Sequence, residues 1–171
     1  MDSGRTVAQR VAAYGMLIGL ACIFSYVEAM IPLPIPVPGV KLGLANLVII
    51  VGLYTIGIKG TVAVSLIRIV FVGFTFGNAS SMIYGLAGGM VSLLLMILFQ
   101  KLNWFSQVGV SIIGGIGHNI GQLSVAALIT QTAGVFYYLP FLMAAGVVAG
   151  ALIGLLGGLV TERVQKVMKK I

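Results

Sequence analysis

Glu28, Lys41, Arg68 and His118 are ionisable side chains set inside, or at the mouth of, long apolar stretches of this sequence. Such groups are costly to bury in lipid and mark ligand, ion or proton sites. Glu28 stands near the end of a first apolar run, Lys41 opens a second, and Asn46 follows just over a turn later. Arg68 lies within a third run, Asn78 in the turn after it, and Tyr84 near the start of a fourth. His118, Asn119 and Gln122 fall in the middle of a fifth, with His118 and Gln122 at i, i+4 on one helix face. Two cations against one carboxylate leave such a site net positive, and an anionic or strongly hydrogen-bonding ligand would compensate it. Gly114, Gly115, Gly117 and Gly121 strip side chains from around His118, which admits either a flat ligand or another helix. Simpler roles stand beside these: Arg68 paired with Glu28, His118 as a link between helices, and Tyr137 and Tyr138 as interfacial aromatics.

The same inventory excludes several activities. No Gly-x-x-x-x-Gly-Lys-Ser/Thr occurs, so there is no nucleotide-binding P-loop. The chain has 3 carboxylates, and only Glu28 falls in an apolar segment, too few for a cluster that binds magnesium diphosphate. One Cys and one His cannot build a zinc centre. The expectation is a protein with no catalytic residue, no metal and no cofactor of its own, hence not an enzyme. Cys22 reads as a small apolar core residue.

The elements that must position these groups are membrane helices. Lys and Arg number 10 and Asp and Glu 3 in 171 residues, while 60% are hydrophobic. A soluble domain carries about 25% charged residues, so this chain cannot cover a water-facing surface. The apolar runs predict an all-α integral membrane protein of six spans at 11–31, 42–58, 61–76, 81–100, 107–131 and 136–160, as one domain. The first run is too long for a secretory signal and reads as the first span. Pro32, Pro34, Pro36 and Pro38 exclude helix between spans one and two, and 161–171 forms a basic helical tail. With the N-terminus inside, eight basic residues lie in the cytoplasm (Arg5, Arg10, Lys59, Lys101, Arg163, Lys166, Lys169 and Lys170) against Lys41 outside. That asymmetry predicts both ends in the cytoplasm of a bacterial cell membrane. The net charge of +7 is then a topology and lipid-headgroup signal, not a nucleic-acid footprint. In this orientation the polar groups occupy the outer half and middle of the bilayer, which predicts a pocket opening outward. Small residues at helical spacing in span one, Gly15, Gly19, Ala21 and Ser25, could dock a separate membrane subunit or pack within the chain's own bundle.

Four blocks of sequence carry a family resemblance: Pro38-Gly39-Val40-Lys41-Leu42-Gly43-Leu44-Ala45-Asn46-Leu47, Ser65-Leu66-Ile67-Arg68, Leu86-Ala87-Gly88-Gly89-Met90-Val91-Ser92 and Gly117-His118-Asn119-Ile120-Gly121-Gln122. Together they resemble the Gx transporter family, also described as heptaprenyl diphosphate synthase component I. That family is similar to the S components of energy-coupling-factor (ECF) vitamin transporters. The resemblance implies six helices with both ends cytoplasmic, a substrate-binding role, and partners consisting of a transmembrane T subunit and two ATPases. It marks Lys41, Asn46, Arg68, His118, Asn119 and Gln122 as signature polar positions. It also implies a link to flavin supply, making FAD or riboflavin the first choice of transported ligand, with Tyr84, Tyr137 or Tyr138 available to stack on its rings. The alternative is a non-catalytic membrane scaffold in prenyl diphosphate or polyprenyl lipid metabolism, which predicts a lipid-facing apolar groove.

Overall fold

A computed structural model of the chain describes residues 7–31, 43–75 and 79–170. Lys41, Asn78 and the proline-rich segment lie outside the described residues. Within them the chain is helical throughout: α1 Val7–Met30, α2 Asn46–Thr55, α3 Gly57–Thr75, α4 Ala79–Leu102, α5 Gln107–Thr130 and α6 Leu139–Lys170, with a 3-10 turn Ala133–Tyr138 before α6. Helices are the form expected of apolar sequence in lipid, because each satisfies its own backbone polar groups. Among the described residues 5 helices are long and apolar enough to cross a membrane. Large apolar side chains such as Phe71, Phe74, Leu94, Leu128 and Leu159 point outward from them. This is a multi-pass membrane protein.

The second predicted span is where sequence and structure part. Residues 42–58 were expected to cross the bilayer, but α2 has only 10 residues. At 1.5 Å per residue that is about 15 Å, half of a hydrocarbon core about 30 Å thick. Two glycines set its limits. Gly43 (φ 83°) and Gly57 (φ 80°) adopt left-handed backbone that breaks helix on either side. The fifth and sixth spans keep close to their predicted positions. Gln131 (φ 49°) ends α5, and α6 runs on through the basic tail to Lys170 as one helix.

Side-chain amides fasten one end of the bundle. Gln100 Nε2 donates to the Leu53 carbonyl and Gln165 Nε2 to the Tyr54 carbonyl, each at 3.1 Å, while Gln107 Nε2 donates to Thr161 Oγ1 at 3.0 Å. The first two satisfy carbonyls at the C-terminus of α2 that have no partner within the helix, and the third ties α5 to α6. Lys59, Lys101, Arg163 and Lys166 are exposed at this same end. The other end of α2 therefore opens about 15 Å into the bundle.

An apolar cluster around Ile49, Ile50, Val64, Met96 and Val110 fills the fastened half, and a second around Tyr84, Leu123, Ala126 and Leu142 fills the other. Along α5, His118, Asn119 and Gln122 fall between them, and the start of α2 faces this polar layer. Glycines let the helices close on it. A Cβ on Gly115 would stand 2.5 Å from the Gly146 carbonyl oxygen of α6, and one on Gly88 2.9 Å from the His118 carbonyl oxygen.

Candidate functional site

Glu28, in the last turn of α1, reaches across to the start of α2. Its Oε1 accepts from the backbone N–H of Gly43 and, at 3.2 Å, from that of Leu44. Ala45 at the helix start offers no side-chain cap, so a carboxylate from another helix takes that role. The positive end of α2 favours a negative charge there, and the left-handed Gly43 turns successive N–H groups toward one acceptor.

Arg68 enters from α3 and is 6% exposed. Its Nη1 donates to Ser25 Oγ at 3.3 Å, and its charge interacts with that of Glu28. Arg68 Nε has no hydrogen-bond partner among the described residues, and neither has Asn46 Nδ2. Asn46 lies beside the turn: its Nδ2 is 2.9 Å from where a Cβ on Gly43 would stand, and His118 Cδ2 is 3.4 Å from the same point. Gln122 Nε2 and His118 Nε2 are hydrogen-bonded at 3.0 Å, on the shared face that the i, i+4 spacing requires.

Ser25, Glu28, Arg68, His118 and Gln122 thus line one cleft between α1, α3, α4 and α5, with Ile69, Val72 and Met82 as apolar walls. Its cavity is about 30 Å³, room for one or two waters. Sites for drug-sized ligands run from about 300 to 1,000 Å³, so a larger group enters only if these walls part.

The remaining predicted residues sit elsewhere. Asn119 ties α5 to α6, its Nδ2 donating to the Leu142 carbonyl at 2.6 Å. Tyr84 packs in the second apolar cluster, while Tyr137 and Tyr138 are exposed on the 3-10 turn. None of the three tyrosines walls the cleft. The small-residue ridge of α1 divides: Ala21 and Ser25 are buried in the bundle, whereas Gly15 and Gly19 are exposed with open space above them. Sequence reasoning missed the N–H groups of Gly43 and Leu44, although Gly43 stood inside the Lys-Leu-Gly-Leu-Ala-Asn block. It also placed Ser25 on a docking ridge, where the structure makes it a partner of Arg68.

Among the described residues no three His, Cys, Asp or Glu side chains gather to hold a metal ion. The cleft offers donors to an anion, with no paired carboxylates for acid–base work. A family model described as heptaprenyl diphosphate synthase component I matches residues 17–160, from α1 through α6, and so takes in the entire cleft. The chain belongs to the heptaprenyl diphosphate synthase component I family. Neither a curated protein nor a solved structure matches this chain. Of the resemblance drawn from the four sequence blocks, the match supports the description as heptaprenyl diphosphate synthase component I.

Proposed function

We propose that this chain is a non-catalytic membrane subunit that holds a prenyl diphosphate for a separate catalytic component. The diphosphate engages the Arg68 cleft and the prenyl chain lies along α3. One observation carries this reading: α3 presents a buried cation to the cleft, while its other face is an exposed apolar surface of Leu66, Ile67, Val70, Phe71 and Phe74. A prenyl chain would lie in the lipid against such a face, beside the cation that holds its diphosphate. The family description supplies the partner, and the lack of a metal-binding carboxylate cluster argues against catalysis by this chain itself. The test is ligand binding to purified protein in lipid nanodiscs, comparing heptaprenyl diphosphate with FAD. Binding of the prenyl diphosphate and retention of the catalytic component on the loaded protein are expected. Binding of FAD without prenyl diphosphate would overturn the proposal.

A second reading, an ECF-type S component for a flavin, draws on Gly15 and Gly19. Among the described residues no atom stands within 4 Å of a Cβ on either, so this face of α1 could receive another membrane helix. Gly15→Leu and Gly19→Leu should leave stability within about 0.5 kcal/mol, since neither creates a clash. Loss of copurifying T and ATPase subunits in these variants would favour the S component; unchanged partners would count against it.

In either reading the basic end of the bundle faces the cytoplasm of the bacterial cell membrane. Lys59→Cys and Lys101→Cys should react with an impermeant thiol reagent in inverted vesicles and not in intact cells. Labelling in intact cells would reverse the orientation.

A further inference from the structure

We infer that Glu28 is an internal stand-in for the ligand's anion, displaced from the Gly43–Leu44 turn when a diphosphate reaches Arg68. This rests on the diphosphate-binding reading and concerns how that site is regulated. The start of α2 lies inside the bundle, where two N–H groups and the helix dipole converge on the Glu28 carboxylate. Two further donors are buried and without a hydrogen-bond partner among the described residues: Asn46 Nδ2, beside the turn on a side chain 5% exposed, and Arg68 Nε, on a side chain 6% exposed that lines the cleft with Glu28.

Glu28 is thus the negatively charged acceptor shared by the turn, whose N–H groups it accepts, and the cleft it lines with Arg68. A phosphate oxygen is an acceptor of the same kind and competes for the same donors. The two cannot share the site. The cavity of about 30 Å³ lacks the room, and like charges brought together away from water repel strongly. Glu28 must leave the turn or take up a proton as the diphosphate enters. An empty site therefore keeps Arg68 compensated in the membrane, and binding becomes an exchange of one anion for another. Because Glu28 caps α2, the exchange also frees the start of that helix to move.

Glu28→Gln separates charge from shape, because the amide oxygen still accepts from Gly43 and Leu44. Inorganic pyrophosphate is the probe, titrated into wild type and variant in nanodiscs. Glu28→Gln should bind it about tenfold more tightly or better, the scale of one charged interaction. Wild-type binding with equal or weaker binding by Glu28→Gln would overturn this inference alone. Binding by neither protein would overturn both it and the diphosphate-binding reading. A measurement on wild type guards against a variant that misfolds. The sequence contains only Glu28 and Glu162 as glutamates, so carboxyl-¹³C glutamate labelling gives two resonances. Saturating pyrophosphate should shift the Glu28 resonance, and an unmoved resonance would overturn the displacement.

Discussion

Arg68→Gln is expected to leave a folded protein that binds a diphosphate roughly ten- to a hundredfold more weakly, the effect of losing one charge-assisted contact worth about 1.5–3 kcal/mol. The fold should survive because the carboxylate beside Arg68 does not depend on it alone: Glu28 also accepts from Gly43 and Leu44. Gln can still donate toward Ser25 Oγ, so what disappears is chiefly the charge and the unpartnered Nε. His118→Ala and Gln122→Ala should weaken binding less, since each contributes a neutral hydrogen-bonding group worth about 0.5–1.5 kcal/mol. Ligand titration and thermal melting on the same nanodisc samples separate the cases. Unchanged affinity in Arg68→Gln would put the ligand elsewhere. A collapse in melting temperature would make Arg68 chiefly the counter-ion of Glu28.

The membrane character of the chain was legible because it depends only on composition and the length of apolar runs. Five of six spans emerged for that reason, and α2 did not. Apolar residues continue through Gly43 and up to Gly57, and hydropathy does not register that both glycines take left-handed backbone. The error matters functionally, because a full span would have no helix start inside the bundle. The polar residues of the site were legible by type: Glu28, Arg68, His118 and Gln122 were singled out and all line one cleft. Their partners were less so. Asn119 follows His118 directly and looked equivalent to it, yet a step of one residue turns a side chain about 100° around the helix, here toward α6. Tyr84 looked like a ring to stack on a ligand, but its neighbours Leu123, Ala126 and Leu142 come from other helices and are invisible to local sequence. The split of Gly15 and Gly19 from Ala21 and Ser25 has the same origin: small residues at helical spacing show that a helix can be approached, not which side its neighbours occupy.

Gly121→Val should be severely damaging, because the contact it blocks is backbone against backbone. A Cβ on Gly121 would stand 2.6 Å from the Ala87 carbonyl oxygen and 3.0 Å from Gly88 Cα, and neither can swing aside as a side-chain tip could. Gly121→Ala should cost about 1–3 kcal/mol, the usual range for overpacking, and the two branches of valine should cost more. The loss reaches the site through geometry. Gly88 and Gly89 hold α4 against His118 and near Arg68, so parting α4 from α5 moves one wall of the cleft away from the other. Stability and diphosphate binding should therefore fall together in Gly121→Ala, whereas Gly15→Ala, with open space above it, should change neither. Melting curves and pyrophosphate titrations on the two alanine variants provide the check. A Gly121→Ala protein as stable as wild type would mean that α4 and α5 can separate at little cost. The same separation would then widen a cleft that is otherwise too narrow for the ligand proposed to enter it.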